Sequence, residues 1–179
     1  MIDAAILQLW LMRALYFGLC LAVMFFSLLP VDMSPSRIAG PELITALTFA
    51  LALRRPEIVP ALSVAAAALM ADLVLQRPPG LWAALTLVTI ESLKTRQRQS
   101  GESAFLMEWT RVATALIVMA LIYQLVQLLL IIPTANATLL FTQTAATILV
   151  YPLVVAVTHL VFGLKRTRRG EEGRFGLGL

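Results

Sequence analysis

Read for its polar positions alone, the chain falls into six apolar segments divided by short clusters of proline, glycine and charge. The run 58–75 is the clearest, with eighteen residues of which only Ser63 and Asp72 are polar. At 1.5 Å per residue such a helix crosses most of a bilayer core. Arg54 and Arg55 stand before it and Arg77 after it, so its ends carry side chains suited to headgroups or water. Asp72 lies inside. A carboxylate at membrane depth costs about 2.5 to 3.5 kcal/mol on insertion scales, so it is expected to face protein or a wet cavity. That expectation makes the fold a bundle with an interior.

The other segments follow the same grammar. Residues 4–29 are apolar apart from Ser27, interrupted by an amide or a charge only at Gln8 and Arg13, and read as a retained first span. Within them Ala14, Gly18 and Ala22 recur every four residues, a small-residue ridge that allows another helix to approach closely, either inside the bundle or as a seam for a partner. The stretch 30–41, PVDMSPSRIAGP, is turn chemistry throughout. A second segment at 43–53 is short. The turn Arg54-Arg55-Pro56-Glu57 leads into the third, whose alanines 61, 65–68 and 71 make a slim rod expected at the bundle centre. Two prolines and Gly80 then precede a short fourth segment, 81–93, containing Glu91, and the polar run 94–102 reads as a solvent loop. Glu108, Trp109 and Arg111 lead into a fifth span at 112–132, where Gln124 and Gln127 share a face and are expected to bond across helices. The sixth, 139–164, is polar on part of its circumference and carries Pro152, which predicts a kink.

Charge sets the orientation. With a cytoplasmic N-terminus, Arg13, Arg54, Arg55, Lys94, Arg96, Arg98, Arg111 and the basic residues of the tail all fall on the inner side, leaving only Arg37 and Arg77 outside. Twelve basic residues against two is a strong positive-inside bias. It predicts six spans with both termini cytoplasmic: a six-helix domain over 1–164 and a basic, glycine-rich tail over 165–179. In this arrangement Asp72 lies towards the outer leaflet near Arg77, and Glu91 towards the inner leaflet near Arg54 and Arg55. Composition agrees with an integral membrane protein. The chain is 13% charged against about 25% for an average soluble domain, and mean hydropathy is +0.87. The net charge of +4 suits anionic lipids at the cytoplasmic face better than nucleic acid, because no aromatic residues interleave with the basic ones.

Candidate chemistry is sparse. A single cysteine, Cys20, excludes an intrachain disulfide, one histidine and scattered acids offer no metal cluster, and the nucleophile, phosphate-loop and dinucleotide motifs are missing. The expectation is a protein without catalytic residues or cofactors. Asp72 has two readings: an acid that reaches the outer interface and pairs with Arg77, or a buried anchor for a partner or substrate.

Three stretches resemble the rod shape-determining protein MreD family of bacteria: Leu51-Ala52-Leu53-Arg54-Arg55-Pro56-Glu57, Ala68-Leu69-Met70-Ala71-Asp72-Leu73-Val74 and Pro79-Gly80-Leu81. In that family the second span ends in a basic-proline turn, the third carries a small residue followed by an acid, and a proline or similar residue precedes a Gly-Leu pair. The departure is Ala68, where the family often has glycine. The resemblance implies an all-α, six-transmembrane-helix bundle like the substrate-binding S-components of energy-coupling-factor transporters. It also implies a non-enzymatic scaffold in the inner membrane, binding MreC and working with MreB filaments and the enzymes of lateral peptidoglycan synthesis to maintain rod shape. The interface or structural residues it nominates, with the small-residue ridge, are Ala14, Gly18, Ala22, Arg54, Arg55, Pro56, Ala68, Asp72, Arg77, Gly80 and Glu91. The rival expectation is the substrate-binding subunit of a vitamin transporter of the same fold. Its pocket would open outwards near the few polar groups of the outer loops, Asp32, Arg37, Glu42 and Arg77.

Overall fold

A computed structural model describes residues 2–29, 39–100, 105–130 and 137–162. Among them are six α-helices and no strand: α1 (Ile2–Leu28), α2 (Leu43–Arg54), α3 (Ala61–Val74), α4 (Leu81–Ser100), α5 (Phe105–Leu129) and α6 (Ala137–Val161). Three are long and apolar enough to cross a membrane, over Ile6–Leu28, Phe105–Leu129 and Ala137–Val161. The tail, 165–179, and most of the first connection, 30–38, lie outside the described residues.

The short second segment sits at the centre. All nine residues from Ile44 to Ala52 are buried, and α2 packs against α1, α3, α4 and α6. Twelve residues make about 18 Å of helix against a hydrocarbon core of about 30 Å. A helix jacketed by protein on every side has no need to match that thickness, and its uniformly apolar composition follows. The alanine-rich α3, expected at the centre, is instead peripheral. It buries Val64, Ala67, Ala68, Ala71 and Asp72 on one face and leaves Leu62 and Leu73 exposed on the other. Its alanines shape one close seam, chiefly with α4, while its leucines cover the outside.

Residues 94–100, expected as loop, extend α4 to Ser100. Lys, Arg and Gln are good helix formers, and neither glycine nor proline interrupts the chain before Gly101. Likewise α5 begins at Phe105, which places Glu108 inside the helix and 1% exposed.

Contacts between helix ends show that odd and even helices run in opposite directions. At one end, Arg13 donates to the Glu57 carbonyl at 3.2 and 3.1 Å, Lys94 to the Val59 carbonyl at 3.1 Å, and Arg54 to Glu108 at 3.3 Å. At the other, the start of α2 meets the first half of α6, where the Glu42 amide donates to Thr147 Oγ1 at 2.8 Å. Of the basic residues that sequence counting placed on one side, Arg13, Arg54 and Lys94 meet at one end of the described bundle.

Pro152 lies inside α6. It has no N–H to offer the carbonyl four residues back, and that carbonyl, of Ile148, accepts the Trp109 indole N–H of α5 at 3.0 Å. The defect in one helix is therefore satisfied by its neighbour, as buried backbone groups require.

Candidate functional site

The sequence-nominated residues separate into three places. The first is the end that carries the α3–α4 turn. Gly80 has φ +86° and no side chain to cap the helix it starts, although its carbonyl accepts the first bond of α4, from the Ala84 amide at 2.9 Å. Asp72, fully buried near the end of α3, supplies the missing cap. Its Oδ2 accepts the amide N–H of Gly80 at 3.0 Å and of Ala83 at 3.1 Å. These are the cap and third positions of α4, whose first-turn amides have no partner within the helix and carry its positive dipole end. Asp72 therefore clasps α4 to α3; it lies close enough to Arg77 to feel its charge, but the direct pair that one of its two readings expected is not formed.

Arg77 pairs instead with Glu42, at the start of α2, and its guanidinium lies 5.3 Å from the centre of the Trp82 ring. Gln143 of α6 donates to the same Glu42 oxygen at 2.9 Å. Glu42 is thus the hub that joins α2, α6 and the α3–α4 turn. Its proximity to Arg77 and Gln143 was not legible because 35 and 101 residues separate them in the chain. A buried acid must find a donor, but nothing in the local sequence marked Glu42, read as an outer-loop acid, as buried.

Beside this hub is a half-open cavity of about 640 Å³, walled by the α3–α4 turn, α5 and the start of α6. Trp82 and Tyr123 meet edge to face in its wall, with ring centres 5.2 Å apart. The expected cross-helix bonds of Gln124 and Gln127 are not made to any described residue; both amides line this cavity, and Gln124 Oε1 is buried without a partner among the described residues.

The conformational demand at Gly80 gives a direct prediction. An added Cβ would meet only Leu69 Cδ2, at an ordinary 3.8 Å, so the cost of Gly80→Ala is that of the left-handed backbone, about 1 to 2 kcal/mol. A chemical unfolding midpoint in detergent equal to that of the wild type would refute it.

The second place is the basic end. Arg54, 15% exposed, is paired with the buried Glu108, and Tyr151 donates its hydroxyl to Glu108 Oε1 at 3.1 Å. Glu91, expected near Arg54 and Arg55, lies exposed on α4 and pairs with Lys94 one turn on, at 2.9 Å. Arg55 approaches Glu57 within its own turn at 3.8 Å, which Pro56 closes by accepting the Val59 amide at 3.3 Å. Short-range partners win here because the exposed acids have no need of distant ones.

The third place is the outer face of α1. Tyr16, Cys20 and Met24 bury one stripe, with Tyr16 hydrogen-bonded to Thr48 of α2 at 3.1 Å. Ala14, Gly18 and Ala22 are exposed on another stripe, and an added Cβ at Gly18 would meet nothing within 4 Å. Their small size is not used in packing the bundle.

No family model, curated protein or solved structure matches this chain.

Proposed function

We propose that the protein is a non-enzymatic scaffold of the MreD kind in the bacterial inner membrane. It spans the bilayer six times with both termini in the cytoplasm, and α1 receives the transmembrane helix of MreC. Through that contact it helps couple MreB filaments to lateral wall synthesis. The observation that carries this reading is the α1 ridge. Ala14, Gly18 and Ala22 sit on an outward face whose neighbours Leu11, Leu21 and Phe25 are also exposed. A groove of small residues flanked by large ones favours close helix packing in lipid, where van der Waals contact replaces the hydrophobic drive. Gly18→Phe is the test. It should leave expression and thermal stability unchanged, because a Cβ added there points outward with nothing within 4 Å, and reduce co-purification with MreC at least tenfold. Undiminished co-purification would remove α1 as the seam.

A second reading is favoured by the 640 Å³ cavity, which lies within the range of about 300 to 1,000 Å³ usual for small-molecule sites. In it the chain is the substrate-binding subunit of an energy-coupling-factor-type vitamin transporter. A small molecule retained at one equivalent through purification, and lost in Gln127→Leu, would favour it over the scaffold.

A further inference from the structure

A second cleft, of about 380 Å³, lies between α4 and α5 near the basic end. Its cations are Arg96 of α4 and Arg111 of α5. Neither has a salt bridge to a described acid. The described acids nearby in sequence are already engaged, Glu91 by Lys94 and Glu108 by Arg54 and Tyr151. Arg111 Nη1 is buried with no hydrogen-bond partner among the described residues. Two guanidiniums from facing helices thus share one opening, and burying a guanidinium nitrogen with its donors unused is costly enough to call for an acceptor.

The cleft also has a direction. From Arg111 the α5 wall runs through Thr114 to Val118, seven residues or about 10 Å further from the basic end. From Arg96 the α4 wall runs back through Leu93. The cations therefore lie towards the helix ends, with Leu93, Ala115 and Val118 deeper along the bundle beside Thr89, Ser92 and Thr114, of which Ser92 and Thr114 spend their hydroxyls on carbonyls of their own helices. That order of charge outside and hydrocarbon inside matches an amphiphile anchored in the same leaflet. The planar forks of two arginines suit the tetrahedral oxygens of a phosphate, which accept paired N–H bonds, and basic pockets between helices at the cytoplasmic surface bind anionic headgroups.

We propose that Arg96 and Arg111 form a phosphate site occupied by the headgroup of an anionic phospholipid, whose acyl chain continues along Leu93 and Val118. The proposal rests on α5 crossing the membrane and is independent of any partner protein.

Native mass spectrometry of the detergent-purified chain, titrated with phosphatidylglycerol, cardiolipin or phosphatidylethanolamine, tests it. The expected result is a retained anionic lipid adduct, at least tenfold weaker for phosphatidylethanolamine and at least tenfold weaker again in Arg96→Gln/Arg111→Gln. Arg55→Gln removes an equal charge at the same end away from the cleft, and its adduct should match the wild type. Arg96→Gln alone keeps the test open if the double variant misfolds, with a loss of at least threefold expected. Equal adducts in wild type, Arg96→Gln and the double variant would overturn the proposal, as would equal loss in Arg55→Gln, which would indicate nonspecific charge attraction. Displacement of the lipid by millimolar inorganic phosphate would also overturn it, by assigning the site to a soluble phosphate.

Discussion

Asp72→Ala is expected to destabilise the bundle by about 3 kcal/mol, with Asp72→Asn costing about 1 kcal/mol. Hydrogen bonds to a charged group contribute about 1.5 to 3 kcal/mol each, and leaving a buried donor unmade incurs its desolvation. Alanine abandons the amides of Gly80 and Ala83 together. Asparagine keeps an acceptor oxygen for both and gives up the favourable field of a carboxylate at the helix start, worth about 0.3 to 1 kcal/mol. The order wild type, Asn, Ala in chemical unfolding midpoint is the expected readout. If both variants unfold with the wild type, the clasp contributes nothing and Asp72 must serve elsewhere. The same series separates structure from partner binding. Loss of the proposed MreC association in Asp72→Asn without a drop in stability would move the residue from clasp to contact.

How much of this was legible varies with the range of the interaction. The apolar segments, their order and the gathering of basic residues at one end follow from local composition, and the helices begin within a few residues of the expected places, except where α5 starts seven residues early at Phe105. The extension of α4 to Ser100 was missed because charge was read as loop, whereas Lys94, Arg96 and Gln97 favour helix wherever water is available. The centre was misplaced because alanine content in α3 suggested close packing without saying on how many sides. Burial all round α2 depends on which helices surround it, and that is a property of topology. The same distinction applies to the acids. Asp72 was recognised as anomalous, yet its partners are backbone amides across a turn, which no charge-pairing argument can find. Glu91 was assigned to distant arginines and is satisfied one helical turn away.

Removing one member of the Arg54–Glu108 pair should be the most damaging single change at the basic end. Glu108 is 1% exposed and holds both Arg54 and Tyr151, so Glu108→Leu leaves a nearly buried guanidinium and a hydroxyl without their acceptor. Breaking a buried pair in this way costs about 3 to 5 kcal/mol. The double variant Arg54→Met/Glu108→Leu removes the orphaned charge along with its partner, and it should regain at least half of that loss because the desolvation cost of both ions disappears too. Tyr151→Phe removes one bond and should cost about 1 kcal/mol. Unfolding midpoints for these three variants and the single Arg54→Met together measure the coupling between α2, α5 and α6 at this end. If the double variant is as unstable as the two single losses added, the ions do not act on each other, and the alignment of these helix ends must come from apolar packing, such as Val112 and Leu116 of α5. Recovery in the double variant would show instead that charge specifies how the ends meet while contributing little net stability, a role suited to a bundle whose central helix is too short to be positioned by the bilayer.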